Sequence, residues 1–126
     1  MIVIYQVYGI RCKENGKIYI GCTKNKLQER FSQHLRELKA GMKTTRVGEQ
    51  RVNSKWQEDF NKYGINSFEL YLIEDNIPDD ISLEREQYWM REYKSFDEKY
   101  GYNIKWKSGV KMYEYIKALP PKPFAE

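Results

Sequence analysis

Val7-Tyr8-Gly9-Ile10-Arg11-Cys12-Lys13-Glu14-Asn15-Gly16-Lys17-Ile18-Tyr19-Ile20-Gly21-Cys22-Thr23 is the stretch from which the fold can be read. Two β-rich runs flank Asn15-Gly16, the strongest short-range signal for a tight hairpin. A two-residue loop at Asn15 and Gly16 pairs Cys12 with Tyr19 and Ile10 with Gly21. Side chains alternate along a strand, so Tyr8, Ile10, Cys12, Tyr19 and Gly21 then share one face. Two phenols stand together on a small rigid platform, beside a glycine that leaves room for another group to approach. Such a platform suits the floor of an active site.

Basic residues dominate the segment from Lys24 to Lys55. Lys24, Lys26, Arg30, Arg36, Lys39, Lys43, Arg46, Arg51 and Lys55 face only Glu29, Glu37 and Glu49, within a chain whose net charge is +4. A polyanion is drawn to such a segment, and its place directly after the hairpin reads as a phosphate-backbone track. Leu27, Phe31, Leu35 and Leu38 recur at helical spacing, predicting a helix from about Lys26 to Leu38. His34 falls beside that apolar stripe and Arg30 one step further around, so both can face the hairpin. Residues 41–53 lack periodicity and read as a loop. A short helix over Ser54 to Lys62 places Trp56 and Phe60 on one side, with Gly64 as its cap.

Phe68, Leu70 and Leu72 alternate with Glu69 and Tyr71, predicting a third strand from Ser67 to Ile73. A helix then starts near Ser82 and runs to Tyr93, with Leu83, Trp89, Met90 and Tyr93 on one apolar arc. Glu86 sits in the middle of that arc, whereas Glu84 points away. A carboxylate on a core-facing side is costly unless it meets a cation, a metal or several donors. An ion pair with an arginine such as Arg30 and a metal ligand are both open on the wheel alone. The expected architecture is α+β, a small three-stranded, mainly antiparallel sheet flanked by helices. One domain over 1–104 precedes a basic, aromatic tail over 105–126 with a short helix near Val110 to Leu119.

The chain resembles the GIY-YIG endonucleases. Tyr19-Ile20-Gly21 keeps the second half of that family's hairpin, and Gln6-Val7-Tyr8 stands for the first, with Gln6 in place of glycine. The likeness extends through Arg30-Phe31-x-x-His34, Phe60-Asn61-Lys62-Tyr63-Gly64, Glu84-Arg85-Glu86 and Gly101-Tyr102-Asn103. Several ordered motifs over about one hundred residues are far more specific than one tripeptide. The resemblance implies Arg30 as the essential arginine, Glu86 as the metal-binding glutamate, His34 as a frequent site residue, a tyrosine that acts on water, and Asn103 near the site. Cys22 stands where some members place a lysine, so cationic help must come from Lys24 or Lys26.

Phosphodiester hydrolysis requires a nucleophilic water, a proton acceptor, cations at the scissile group and a protonated leaving oxygen. Glu86 suits a hard ion such as Mg²⁺ (or Mn²⁺), which keeps most of its waters and takes one or two carboxylates. Arg30 offers a charged planar fork matched to phosphate. Tyr8 and Tyr19 are the candidates for ordering or deprotonating the water, and a phenol with a pKa of about 10 serves as a base near neutrality only where cations depress it. Lys24, Lys26, Lys43, Arg46 and Asn103 are the candidate substrate contacts. The expected activity is metal-dependent cleavage of DNA. The rival is a silent nucleic-acid-binding module that keeps the fold, favoured by Gln6 and Cys22. A third reading, a protein-interaction module, uses the basic surface to hold an acidic partner.

Charged residues make up 32% of the 126 residues, and no apolar run approaches the roughly 20 residues that span a bilayer. The N-terminus lacks a basic leader. An intracellular protein is expected, in the host cytoplasm if phage-encoded, with a homodimer or an accessory targeting partner as candidate company. Cys12 and Cys22 fall on opposite hairpin faces, which argues against a disulfide. Two separated cysteines and one histidine match no common zinc spacing.

Overall fold

The computed structural model of the protein describes residues 3–40, 54–97 and 99–103. Strand β1 (Ile4–Cys12) and β2 (Ile18–Thr23) form the hairpin, followed by α1 (Leu27–Lys39), α2 (Ser54–Tyr63), a 3₁₀ turn, β3 (Phe68–Pro78), a second 3₁₀ turn and α3 (Ser82–Tyr93). The sheet has the order β2-β1-β3 with both pairings antiparallel, as expected for an α+β fold of three strands.

The hairpin loop differs from its expected form. Tyr8 pairs with Gly21 and Ile10 with Tyr19, two residues away from the register of a two-residue loop. Lys13 to Gly16 form the loop, closed where the Cys12 N–H donates to the Lys17 carbonyl at 2.8 Å and the Gly16 N–H to the Cys12 carbonyl at 2.8 Å. A type I′ turn needs positive φ at both central residues. Only Gly16 has it, at 78°, while Asn15 does not. The Asn15 side chain explains the difference. Its Oδ1 accepts from the Lys17 N–H at 3.0 Å, and its Nδ2 donates to Asp59 at 2.8 Å. The loop is thereby tied to α2. A shift of two residues preserves every facing, so Tyr8, Ile10, Cys12, Tyr19 and Gly21 still share one side.

That side is covered by α1 and α2. Tyr8, Ile10, Cys12, Leu38, Trp56, Phe68 and Tyr102 form one buried cluster, with Tyr19, Leu27, Phe31, Phe60 and Leu70 packed on it. The other face of the sheet carries Val7, Ile18, Ile20 and Ile77 against Met90 and Tyr93 of α3. Cys12 and Cys22 are free and belong to opposite clusters, as the alternation requires.

The third strand runs five residues past its expected end at Ile73, to Pro78. Register shifts opposite Tyr5 to Val7 and Val7 to Tyr8, together with Asn76 at φ 55°, insert extra residues into β3. Such bulges break the period-2 pattern while pairing continues. They let Ile73 and Ile77 join the α3 side, whereas Leu72, expected in the core, is 49% exposed at the sheet edge. Leu83, placed on the apolar arc of α3, is likewise 52% exposed. Burial along that helix begins at Glu86 and continues through Gln87, Met90 and Tyr93. Gly64, at φ 88°, ends α2 with its N–H donated to the Phe60 carbonyl at 2.9 Å, and Glu84 is exposed. The expected loop over 41–53, Lys43 and Arg46 within it, and the tail over 105–126 lie outside the described residues.

Asp59 is the polar hub beneath the first cluster. It accepts from Tyr102 Oη at 2.7 Å and Asn15 Nδ2 at 2.8 Å, and it is buried. Asp59→Ala strips both donors of their partner inside the protein, where each unsatisfied group costs about 1–3 kcal/mol. A urea titration should show about 2–4 kcal/mol of lost stability for Asp59→Ala, and a smaller loss, about 1 kcal/mol, for Tyr102→Phe, which deletes one bond without stranding the Asn15 amide.

Candidate active site

The shared face of the hairpin supplies two phenols, and α1 lies over them. Tyr8 Oη and His34 Nε2 are 2.8 Å apart, and both residues are buried. With the Nδ1–H tautomer of His34, the Tyr8 hydroxyl donates to Nε2; with imidazolium, Nε2–H donates to the hydroxyl. The Tyr8 and Tyr19 rings are 6.3 Å apart and tilted at 45°, and His34 meets the Tyr19 ring edge-on at 5.0 Å. Gly21 makes this spacing available. A β-carbon there would run into the Tyr8 hydroxyl and its ring carbon, and would lie 2.9 Å from Tyr19 Cε2.

Arg30 and Glu86 frame the pair electrostatically. Burial raises the Tyr8 hydroxyl well above the usual phenol range, helped by the neighbouring Tyr19 and by Glu86, and opposed by the charge and hydrogen bond of Arg30. Burial likewise raises Tyr19 to about 12, with Glu86 adding to the rise and Arg30 opposing it. Cations were required to pull a phenol down towards neutrality, and Arg30 does pull in that direction. Desolvation outweighs it, so both phenols stay protonated well above pH 7 in the protein alone.

Glu86 is 6% exposed, on the helix that packs on the opposite side of the sheet, yet its charge reaches both phenols. Glu86 offers a buried carboxylate whose charge acts on both phenols, and carboxylate and phenol oxygens are hard donors. No group of three or more His, Cys, Asp or Glu side chains stands together among the described residues, so the arrangement fits an ion that keeps most of its waters and does not fit an all-protein cage. Asn103 is committed to the strand that carries Tyr19: its Oδ1 accepts from the Ile20 N–H at 2.9 Å and its Nδ2 donates to the Ile20 carbonyl at 2.9 Å. Lys24 and Lys26 stand exposed on the connection from β2 to α1, with Lys26 at the start of the helix. Cys22 faces the α3 side, its Sγ 3.8 Å from the Ser82 carbonyl, so it does not stand on the floor with the phenols.

The fold thus gathers Tyr8, Tyr19, Arg30, His34 and Glu86 and leaves Lys24 and Lys26 at the surface. Two residues escaped the reading of the chain. Glu37 is buried and adds to the rise of Tyr19, and its spacing of three from His34 and seven from Arg30 places it on their helix face. Trp56, read only as sharing a helix side with Phe60, stacks on the Tyr19 ring at 4.6 Å.

Residues 4–103 match the family model for the GIY-YIG catalytic domain. A curated relative, Intron-associated endonuclease 1 of Enterobacteria phage T4, is 34% identical over 100 residues, covering 78% of this chain and 36% of its own length. The chain therefore spans about a third of that relative. Two solved structures are similar to the fold. The catalytic domain of homing endonuclease I-TevI superposes with a TM-score of 0.64 at 32% identity, covering 80% of this chain and 98% of that one. A point mutant of the catalytic domain of intron endonuclease I-TevI gives a TM-score of 0.67 at 30% identity, covering 81% and 94%. With the family match spanning nearly all of the described residues and the fold likeness agreeing with it, the chain belongs to the GIY-YIG catalytic domain family.

Proposed function

We propose that the protein is a DNA endonuclease that hydrolyses phosphodiester bonds at the Tyr8, Tyr19, Arg30, His34 and Glu86 cluster, using a divalent ion. The observation that supports this reading is the meeting of Tyr8, Tyr19 and His34 over the space cleared by Gly21, with the charges of Arg30 and Glu86 acting on both phenols. Family membership and the endonuclease names of its relatives support the substrate class. Glu86 would hold Mg²⁺ or Mn²⁺, which when bound supplies a Lewis acid to the phosphate and leaving oxygens.

The remaining chemistry belongs to the chain. Arg30, whose charge already acts on the Tyr8 hydroxyl, neutralises charge growing on the scissile phosphate. Tyr8 holds the attacking water and passes a proton on to His34 Nε2 across the 2.8 Å bond, so no free phenolate is needed. Tyr19 orients the same water or the phosphate from the other side of the floor. Lys24 and Lys26 contact the flanking backbone, with Lys43 and Arg46 assigned the same task from the sequence. Asn103 acts through Ile20, fixing the strand that carries Tyr19. Gln6 donates to Asp75 at 3.3 Å and Cys22 packs towards α3, so neither departure from the family pattern removes a group from the floor. A homodimer or a targeting partner, and an intracellular setting, complete the proposal. Supercoiled plasmid incubated with and without Mg²⁺ tests it. Mg²⁺-dependent nicking supports cleavage, and tight binding without nicking supports the silent module.

Glu86→Ala should abolish Mg²⁺-dependent nicking while the melting temperature holds or rises, because the change removes a desolvated carboxylate along with the ion site. Cutting at the wild-type rate by the purified variant would exclude Glu86 as the ligand. Arg30→Lys keeps the charge and loses the fork, so turnover should drop at least about tenfold, roughly 1.4 kcal/mol in barrier, with DNA affinity little changed in a gel-shift titration.

The phenols predict an alkaline signature. A pKa near 12 in the fold against the ordinary value of 10.0 means that the unfolded chain loses its Tyr19 proton first. Stability from this group is complete below about pH 10 and is lost as pH rises through 12. Tyr19→Phe should flatten that decline in denaturation curves taken between pH 9 and 12. At neutral pH, Tyr8→Phe and Tyr19→Phe should each slow cleavage at least about tenfold, and wild-type rates on plasmid for both would exclude the phenols from the chemistry.

A further inference from the structure

Tyr8 is bonded to His34, and the Tyr19 ring stands over the gap left by Gly21. Besides Tyr8 and His34, an indole from α2 lies against it. Trp56 stacks on Tyr19 with ring centres 4.6 Å apart and planes 24° apart, and lies 5.3 Å from the His34 ring at 39°. It also stacks on Tyr102 at 5.5 Å and 11°. Tyr102 is in turn pinned by its bond to Asp59, which also holds the hairpin loop through Asn15. A continuous column of rings therefore runs from a fixed polar anchor to the floor of the site.

Trp56 also carries a cost that packing does not explain. It is 2% exposed, and its buried Nε1–H has no hydrogen-bond partner among the described residues. Leaving such a donor unsatisfied is unfavourable. Phenylalanine or leucine would fill a cluster of apolar side chains without an orphaned group. What they would not do is present one rigid plane broad enough to touch Tyr19, His34 and Tyr102 at once.

We infer that Trp56 is a positioning residue, whose indole sets the Tyr19 and His34 rings relative to each other for the reaction proposed above. The inference rests on that nuclease reading, and its role is separable from stability. The test uses the full chain and a cycle of four proteins: wild type, Trp56→Met, Tyr19→Phe and the double variant. Single-turnover nicking of supercoiled plasmid with Mg²⁺ and DNA affinity by fluorescence anisotropy are measured, together with aromatic NOEs between Tyr19 and His34.

Trp56→Met should slow nicking about tenfold with affinity within about twofold of wild type, and the Tyr19–His34 NOE should vanish. On the Tyr19→Phe background the same change should cost less than about twofold, because the hydroxyl it positions is already gone. Trp56→Phe, which keeps a flat ring but loses breadth, should fall only about threefold. It replaces Trp56→Met in the cycle if that variant does not fold. An equal loss in both backgrounds, or wild-type nicking by Trp56→Met, overturns the inference in favour of simple packing. Absence of nicking by wild-type protein would reject the nuclease reading. The NOE then decides alone: persistence of the Tyr19–His34 NOE in the Trp56 variant overturns the positioning role, and its loss sustains it.

Discussion

Everything on the floor of this domain depends on the missing β-carbon at position 21. The register puts Gly21 directly across from Tyr8, and the Tyr8 hydroxyl leans into the space a side chain would fill. Because that space is open, Tyr8 can reach His34 on α1 and remain within the influence of Arg30 and Glu86. An alanine would push the phenol away from its partners or force β2 away from β1. One absent methyl group thus couples the pairing of two strands to the meeting of groups from two helices.

Charges at this floor compete with desolvation, and desolvation prevails. Arg30 favours phenolate at both tyrosines, but burial and the carboxylate of Glu86 oppose it. The resting state is a pair of neutral hydroxyls, able both to donate and to accept. Such groups can hold a water and a phosphate oxygen without carrying negative charge into a site that must receive a polyanion. A cation that offsets Glu86 would weaken one of the two opposing influences, which ties the behaviour of the phenols to the carboxylate across from them.

The sequence revealed much of this, for identifiable physical reasons. Period-2 alternation put Tyr8 and Tyr19 on one face, and a register error of two residues left that conclusion untouched. Glu86 stood out because a carboxylate on an apolar arc demands a partner, and helical spacing brought Arg30 and His34 to the same side. Less visible was whatever depends on contacts distant in the chain. The loop geometry turned on Asp59, 44 residues from Asn15, and the length of β3 on bulges that erase the alternation. Leu72 and Leu83 have the right spacing for the core but lie where the sheet or helix is uncovered. Glu37 and Trp56 carried no local anomaly, since a glutamate in a charged helix and a tryptophan in an apolar stripe are both ordinary.

The strand carrying Tyr19 sits at one margin of the sheet, where a row of unpaired N–H and C=O groups would ordinarily invite another chain to add to it. Here that row is occupied. Ile18 donates to the Tyr100 carbonyl at 3.2 Å and accepts from the Tyr102 N–H at 2.9 Å, and the Asn103 amide then imitates a backbone unit against Ile20. Among the described residues, the segment after α3 behaves as a false fourth strand along Ile18 and Ile20. At Ile18 and Ile20 the margin beside the site is therefore closed to an added strand. The opposite margin, β3, is made a poor template by its bulges and Pro78.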